Sequence, residues 1–218
     1  MNKLRLLFSK TGSAKFISHL DLLATMERAL RRAGMELHYS EGYNPHPYLS
    51  IALPLPVGCG SICEVIDVGT KHSMLPDGLA QLINRTLPEG LEIRAVYDPM
   101  RKFSDISWVM YDAVFHYNDV PAPDIASRLA GIYSSNCVMI SKKSKKGVSN
   151  IDITPHMRDV AFEGVDMVNC SVKLSAQDPS VSPSHFMGAL NGSSPELVPA
   201  YASFTRTEIY DDNMKVFR

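Results

Sequence analysis

The change of hydrophobic period within the first 34 residues constrains this chain most. Over residues 3–9, Leu4, Leu6 and Phe8 alternate with Lys3, Arg5 and Ser9, the period-two pattern of a half-buried strand. A few residues later the period lengthens to that of a helix. From about His19 to Ala33, Leu22, Leu23, Met26, Ala29, Leu30 and Ala33 share one arc, and Asp21, Thr25, Arg28, Arg31 and Arg32 lie opposite. Ser18 and Asp21 form an S-x-x-D box at the start of this helix, and Gly34 stops it.

Beyond the helix, residues 48–53 and 62–68 read as strands joined by the turn-rich Pro54-Leu-Pro-Val-Gly-Cys-Gly-Ser61. A second helix over 77–87 and a strand over 91–97 complete a β-α-β-β-α-β order. The second half predicts a strand at 108–117, a helix at 123–135, and strands at 137–141 and 148–153. A strand at 167–174, a short helix at 182–190 and a strand at 202–210 follow, with 154–164 inserted as at most one helical turn. The expected class is α+β: two tandem ferredoxin-like (split βαβ) lobes with antiparallel sheets, at residues 1–98 and 108–218, joined by a linker at 99–107.

Charge restricts the partners. The net charge is −1, with ten basic and ten acidic side chains in residues 1–100 and twelve and thirteen in the remainder. Nucleic-acid affinity comes mostly from neutralised phosphates, so any such site must be built by local clustering. No apolar run is long enough for a membrane helix, and the amino terminus reads as a strand, which predicts a cytoplasmic protein without a membrane partner. The four cysteines suggest reduced thiols, and Cys59 and Cys63 lack further ligands in a zinc spacing. No metal or other cofactor is expected.

Four stretches can carry chemistry. The Arg28, Arg31 and Arg32 face of the first helix can meet phosphates or an acidic protein surface, or stand as a solvated face balanced by Glu27. His19 falls on the apolar arc at the helix start, where the positive end of the dipole favours neutral imidazole; it is either a ligand or base, or a core histidine bonded to a carbonyl or Asp21. The loop Ser40-Glu-Gly-Tyr-Asn-Pro-His-Pro47 is stiffened by two prolines and offers Tyr43, Asn44 and His46 to a ligand, unless Tyr43 and His46 pack back on the first helix. Residues 141–147 hold Lys142, Lys143, Lys145 and Lys146 at a hairpin tip suited to RNA phosphates, or to solvent alone. No P-loop, dinucleotide fingerprint, nucleophile elbow or H-E-x-x-H motif is present, and no three-cysteine cluster motif either.

The segments Lys15-Phe-Ile-Ser-His-Leu-Asp-Leu-Leu23, Glu27-Arg-Ala-Leu-Arg-Arg-Ala-Gly34, Tyr39-Ser-Glu-Gly-Tyr-Asn-Pro-His-Pro47 and Ala52-Leu-Pro-Leu-Pro-Val-Gly58 together resemble the signature of the radical SAM-linked proteins. Lys146-Gly147 with Asp152-Ile-Thr-Pro-His156 is similar to a weaker motif of that family. It is a bacterial domain of unknown function, found alone or fused to radical SAM proteins. The resemblance implies a radical SAM protein as partner and a tie to RNA modification or ribosome maturation. A fold-level likeness to tandem ferredoxin-like RNA-processing proteins of CRISPR systems, some with a histidine near the first helix, draws His19 into view by analogy alone.

Three functions follow as expectations. The leading one is a non-catalytic RNA-binding or substrate-presenting module. It would use Lys15, Arg28, Arg31, Arg32 and the lysines at 142, 143, 145 and 146 for phosphates, and Tyr43, Asn44 and His46 for a specific contact. The second is a metal-independent endoribonuclease with His19 as general base. The third is a protein-binding adaptor.

Overall fold

The first strand is more deeply enclosed than its alternation predicts. In β1 (Asn2–Lys10) the apolar face of Leu4, Leu6 and Phe8 is buried, but Arg5 and Ser9 on the other face are buried as well, Arg5 to 1% exposure. A half-buried strand was the expectation. The correction has a physical cause at Arg5, whose guanidinium bonds both carboxylate oxygens of Asp67 at 2.6 and 2.9 Å and stacks 4.6 Å from the Phe103 ring.

The computed structural model describes residues 2–71, 77–118, 121–144 and 147–218. The chain forms two units, Met1–Phe103 with Arg218, and Ser104–Phe217. Both mix helices with mostly antiparallel sheet.

In the first unit, α1 (His19–Arg32) starts at an N-cap Ser18 that accepts from the Asp21 amide at 3.2 Å. It ends in a Schellman motif, with Gly34 at φ +85°, its N–H on the Arg31 carbonyl and the Met35 N–H on the Leu30 carbonyl. The strands β2 (Leu49–Ile51), β3 (Gly60–Thr70) and β4 (Leu91–Tyr97) and the short α2 (Leu79–Asn84) complete the unit. Its sheet runs β4-β1-β3-β2, every pair antiparallel, with Leu6 opposite Ile66 and Arg5 opposite Asp67. Leu22, Met26 and Leu30 of α1 and Ile83 of α2 join Leu6, Phe8 and Ile66 in one apolar core.

The second unit contains β5 (Ile106–His116), α3 (Ala122–Tyr133), β6 (Met139–Ser144), β7 (Gly147–Asp152), β8 (Met157–Gly164), β9 (Val168–Ser175), α4 (Pro183–Ser193) and β10 (Tyr201–Asp211). Its main sheet runs β10-β5-β9-β8, all antiparallel. Two expectations change here. The strands foreseen at 137–141 and 148–153 pair with each other as the hairpin β6-β7, as the expected tip at 141–147 requires, but they stay out of this sheet. Residues 154–164, expected to be an insertion, hold a short 3-10 turn, Thr154–His156, and then the strand β8. A bulge between Arg158 and Ala161, with Asp159 at φ +51°, breaks the alternation that would have revealed it.

Inside this unit the Tyr133 and Phe186 rings stack with centroids 4.2 Å apart, and Phe162 packs against both. The Tyr133 hydroxyl donates to the Phe186 carbonyl at 2.7 Å. Among the described residues no helix is long and apolar enough to cross a membrane.

Candidate ligand-binding loop and cleft

The segment after α1 is held at its stem and open at its tip. Tyr39 and Pro47 form an isolated antiparallel bridge, the Ser40 N–H donates to the His46 carbonyl at 2.8 Å, and the His46 N–H donates to Ser40 Oγ at 2.9 Å. One residue outward, the Tyr48 N–H donates to the His38 carbonyl, and both are tied to Gly69 of β3 at 2.9 and 2.7 Å. Such a stem loses little entropy when its tip meets a ligand. Residues 41–46 are exposed, and Tyr43 is fully so. Tyr43 and His46 therefore do not pack back on α1.

His38 and Tyr39 extend this stem into two side-chain networks. His38 Nδ1 lies 3.0 Å from the Tyr39 carbonyl, which can only accept, so Nδ1 carries the proton. The same imidazole meets the Tyr48 ring edge-on at 5.3 Å. The Tyr39 hydroxyl donates to Glu27 at 2.8 Å, and burial, followed by that carboxylate, raises its pKa above the ordinary value.

The helix arginines divide by partner. Arg31 stands 3.9 Å from Glu27, the i,i+4 pairing foreseen, and Arg32 donates to the Thr86 carbonyl at 3.0 Å. Arg28 reaches only the Thr25 hydroxyl, at 3.4 Å, and has no carboxylate within ion-pair distance among the described residues. Lys15 lies in a short 3-10 turn, Gly12–Phe16, with Nζ 5.1 Å from the Phe16 ring centre. His19 is half-buried at the first position of α1; Asp21 takes its hydrogen bond from the Ser18 hydroxyl at 2.7 Å, so the imagined His19–Asp21 bond is not made. Lys142 and Lys143 lie on β6 opposite Ser149 and Val148, in the other unit. Lys145 and Lys146 lie outside the described residues.

The first unit also holds a cleft that the sequence reading missed. It encloses about 690 Å³ between the outer face of β1 and β3, residues 47–50, and a strap of residues 99–103. Arg5 fastens the strap, because its Nη2 donates to the Arg101 carbonyl at 2.8 Å while Phe103 covers the guanidinium. The lining of the cleft includes Lys3, Arg5, Arg101 and Lys102, and also Asp67, which Arg5 engages through both oxygens. Tyr48 lines the opposite wall with 45% of its surface exposed. The available signals are Lys3 and Arg5 on one strand face and the Arg101-Lys102 dipeptide within the segment 99–107 expected as a linker.

The sequence model of one protein family, described as an uncharacterized protein conserved in bacteria (DUF2344), matches residues 3–183. No curated protein matches the chain.

Proposed function

The chain belongs to that bacterial family, and on this premise we propose that it is a non-catalytic RNA-binding module that presents RNA to a radical SAM enzyme in the cytoplasm. The observation that carries the reading is the loop over residues 40–47, where an aromatic ring, an amide and an imidazole stand in solvent on a stem closed by backbone hydrogen bonds. Unstacked bases are bound by exposed aromatics, and their edges by amide and imidazole groups. Tyr43 is the stacking platform, and Asn44 and His46 supply the directional bonds. Lys15 and Arg28 meet the backbone phosphates, with Arg31, Arg32 and the hairpin lysines at 142, 143, 145 and 146 as further cations.

The sheet orders β4-β1-β3-β2 and β10-β5-β9-β8 support reading both units as ferredoxin-like, a scaffold on which many unrelated functions are built. The radical SAM partner follows from the resemblance of residues 15–58 to the signature quoted above. Phe16, Leu20 and Val57, exposed by 59, 74 and 60%, favour a protein contact on this unit.

The test is a gel-shift titration with transfer RNA and ribosomal RNA fragments, in EDTA, at low and moderate salt. The expected result is a shift that weakens with salt and leaves the RNA intact. Tyr43→Ala should weaken binding by about 1–3 kcal/mol, and Arg28→Gln should reduce the salt slope by about one. RNA that neither shifts nor is cut overturns the reading. RNA that is cut, with cutting lost in His19→Ala, replaces it with the endoribonuclease.

A further inference from the structure

We infer that the open face of the second unit's sheet docks a basic segment of a partner protein, which sets lysine or arginine side chains on Asp112 and Glu163 and an apolar side chain on Tyr201 and Met167. The inference goes beyond the RNA-binding reading, since it concerns the other unit and another class of partner.

Register defines the face. Contacts of Tyr133 and Phe186 with Phe162, and of Phe162 with Phe115, put α3 and α4 on the side of the sheet to which Phe115 points. The alternate residues of each strand therefore face away from the helices. Tyr201 of β10 stands opposite His116 of β5, Val114 and Asp112 opposite Asn169 and Ser171 of β9, and Asn169 opposite Glu163 of β8. None of these side chains is buried, and Asp112, Glu163, Asn169 and Tyr201 are exposed. A groove of about 320 Å³ is lined by Asp112 and Val114 on one side, by Glu163 and Ala161 on the other, and by Asn169 and Ser171 between them.

The charge at this groove has one sign. Neither Asp112 nor Glu163 has a hydrogen bond or an ion pair to a described residue, and Asp166 adds an exposed carboxylate in the turn between β8 and β9. The cations of the face lie farther along, in the row of Met110. There Lys173 bonds Asp159 at 2.5 Å, and Arg158 stacks over the Trp108 ring at 4.1 Å. Asp112 and Glu163 stand two strands apart, about 10 Å, which is too far for one divalent ion to bridge. Lysine or arginine side chains at neighbouring positions of one bound chain can meet both. RNA phosphates would meet the same carboxylates as like charges.

The end of the face beyond the groove supplies anchorage. Tyr201 is half-exposed, with its ring 5.6 Å from that of His116. Met167 and Val165, in the turn between β8 and β9, are exposed by 42 and 78%. Val168 points inward opposite Phe115, so its neighbour Met167 turns to the outer face. Contiguous exposed apolar side chains mark protein contacts, and an aromatic residue is the usual anchor within them.

The experiment titrates the full chain with short synthetic peptides of alternating Lys and Leu, of alternating Glu and Leu, and of alternating Lys and Ser, and with a short RNA, followed by amide chemical shifts. The expected result is saturable binding of the Lys-Leu peptide at millimolar concentration or below, with shifts confined to residues 112–116, 161–171 and 201–203, and none from the Glu-Leu peptide. Asp112→Asn combined with Glu163→Gln should weaken binding about tenfold, and Tyr201→Ser about threefold. Glu89→Gln combined with Glu92→Gln, which removes two exposed carboxylates of the first unit, should leave it unchanged. All the substituted side chains are exposed, so unchanged shifts elsewhere will report intact folding. Absence of shifts on this face with the Lys-Leu peptide overturns the inference. Equal weakening in the Glu89 and Glu92 variant does so too, because net charge alone would then account for binding. Equal affinity for the Lys-Ser peptide removes the apolar anchor and with it the docking surface. RNA that shifts the same residues at lower concentration than the Lys-Leu peptide transfers the face to nucleic acid and overturns the inference as well.

Discussion

The two units thread their sheets alike and stabilise them differently. In each, the last strand pairs with the first, the first with the penultimate, and the penultimate with the strand before it. The first unit connects its first helix to the next sheet strand by one hydrogen-bonded loop, and covers the outer face of β1 with an arginine–aspartate pair under Phe103. The second unit uses the equivalent connection to insert the hairpin β6-β7 and fills its interior with Tyr133, Phe162 and Phe186. Strand order therefore does not decide what each unit does; the connections and the covered faces do.

The largest test of this contrast is Phe186→Ala. Removing a fully buried ring from the aromatic stack should cost the second unit about 4 kcal/mol. Trp108 is the only tryptophan of the chain and lies on β5, so its fluorescence follows this unit during denaturant unfolding. A loss below about 1 kcal/mol would mean that the stack adjusts without a cavity and that the contrast is drawn too sharply.

Arg5→Ala should be next, at about 3 kcal/mol, because it leaves Asp67 without its bidentate partner on a largely buried face. Amide exchange in β1 and β3 measures it. Arg5→Met with Asp67→Leu should recover most of that stability, since an apolar replacement avoids desolvating two charges. The strap should nevertheless lose protection at residues 99–103, because the bond to the Arg101 carbonyl is gone. A double variant with a protected strap would show that contacts other than those of the Arg5 guanidinium hold it.

These contrasts also explain what was legible in the sequence. Several elements of the first unit follow their patterns: α1 begins at His19 behind its Ser18 N-cap and the expected strand at 91–97 is β4, although the helix expected over 77–87 is only Leu79–Asn84. Period and caps are local, and a reader of sequence has access to them. The missed features are nonlocal. β8 was hidden because its bulge moves the side-chain alternation out of phase midway along the strand. The hairpin itself was legible from its lysine-rich tip, but its separation from the main sheet was not, since a strand pattern does not specify whether a pair joins a larger sheet. The cleft was missed because Arg5 and Asp67 are 62 residues apart in sequence and adjacent only through the β1-β3 register.

Smaller effects separate hydrogen bonding from packing in the second unit. Tyr133→Phe keeps the ring and removes the donor to the Phe186 carbonyl, which should cost about 1 kcal/mol at neutral pH. It should also flatten the alkaline limb. Burial raises the Tyr133 hydroxyl above its ordinary value, and pushes the Cys170 thiol from 9.0, and the Tyr117 hydroxyl from 10.0, up to about 12 in each case. Below these ordinary values both states keep their protons and stability is constant. As pH rises through them the unfolded chain releases protons that the fold retains, so stability falls between about pH 9 and 12. A Trp108 transition independent of pH in that window would contradict the buried placement of these groups.

The smallest effect lies at the base of the hairpin and has the opposite pH sense. Asp152 Oδ1 accepts from the Thr154 hydroxyl at 2.7 Å, the Thr154 amide at 2.9 Å and the Val138 amide at 3.1 Å. The Thr154 bonds, chiefly, hold its pKa below the ordinary 3.8. An unfolded chain therefore takes up a proton at this carboxyl near pH 3.8 while the folded hairpin resists it, and the associated stability is lost as pH falls from 3.8 through the lower folded value. Amide exchange at Val138 and Thr154, corrected for its intrinsic pH dependence, should show weaker protection at about pH 3 than at about pH 5. Asp152→Asn should remove that dependence, because the amide keeps an acceptor oxygen but cannot titrate. If protection in the native chain is the same at both values, the hairpin base is held by backbone pairing of β6 with β7, and the carboxylate is dispensable to it.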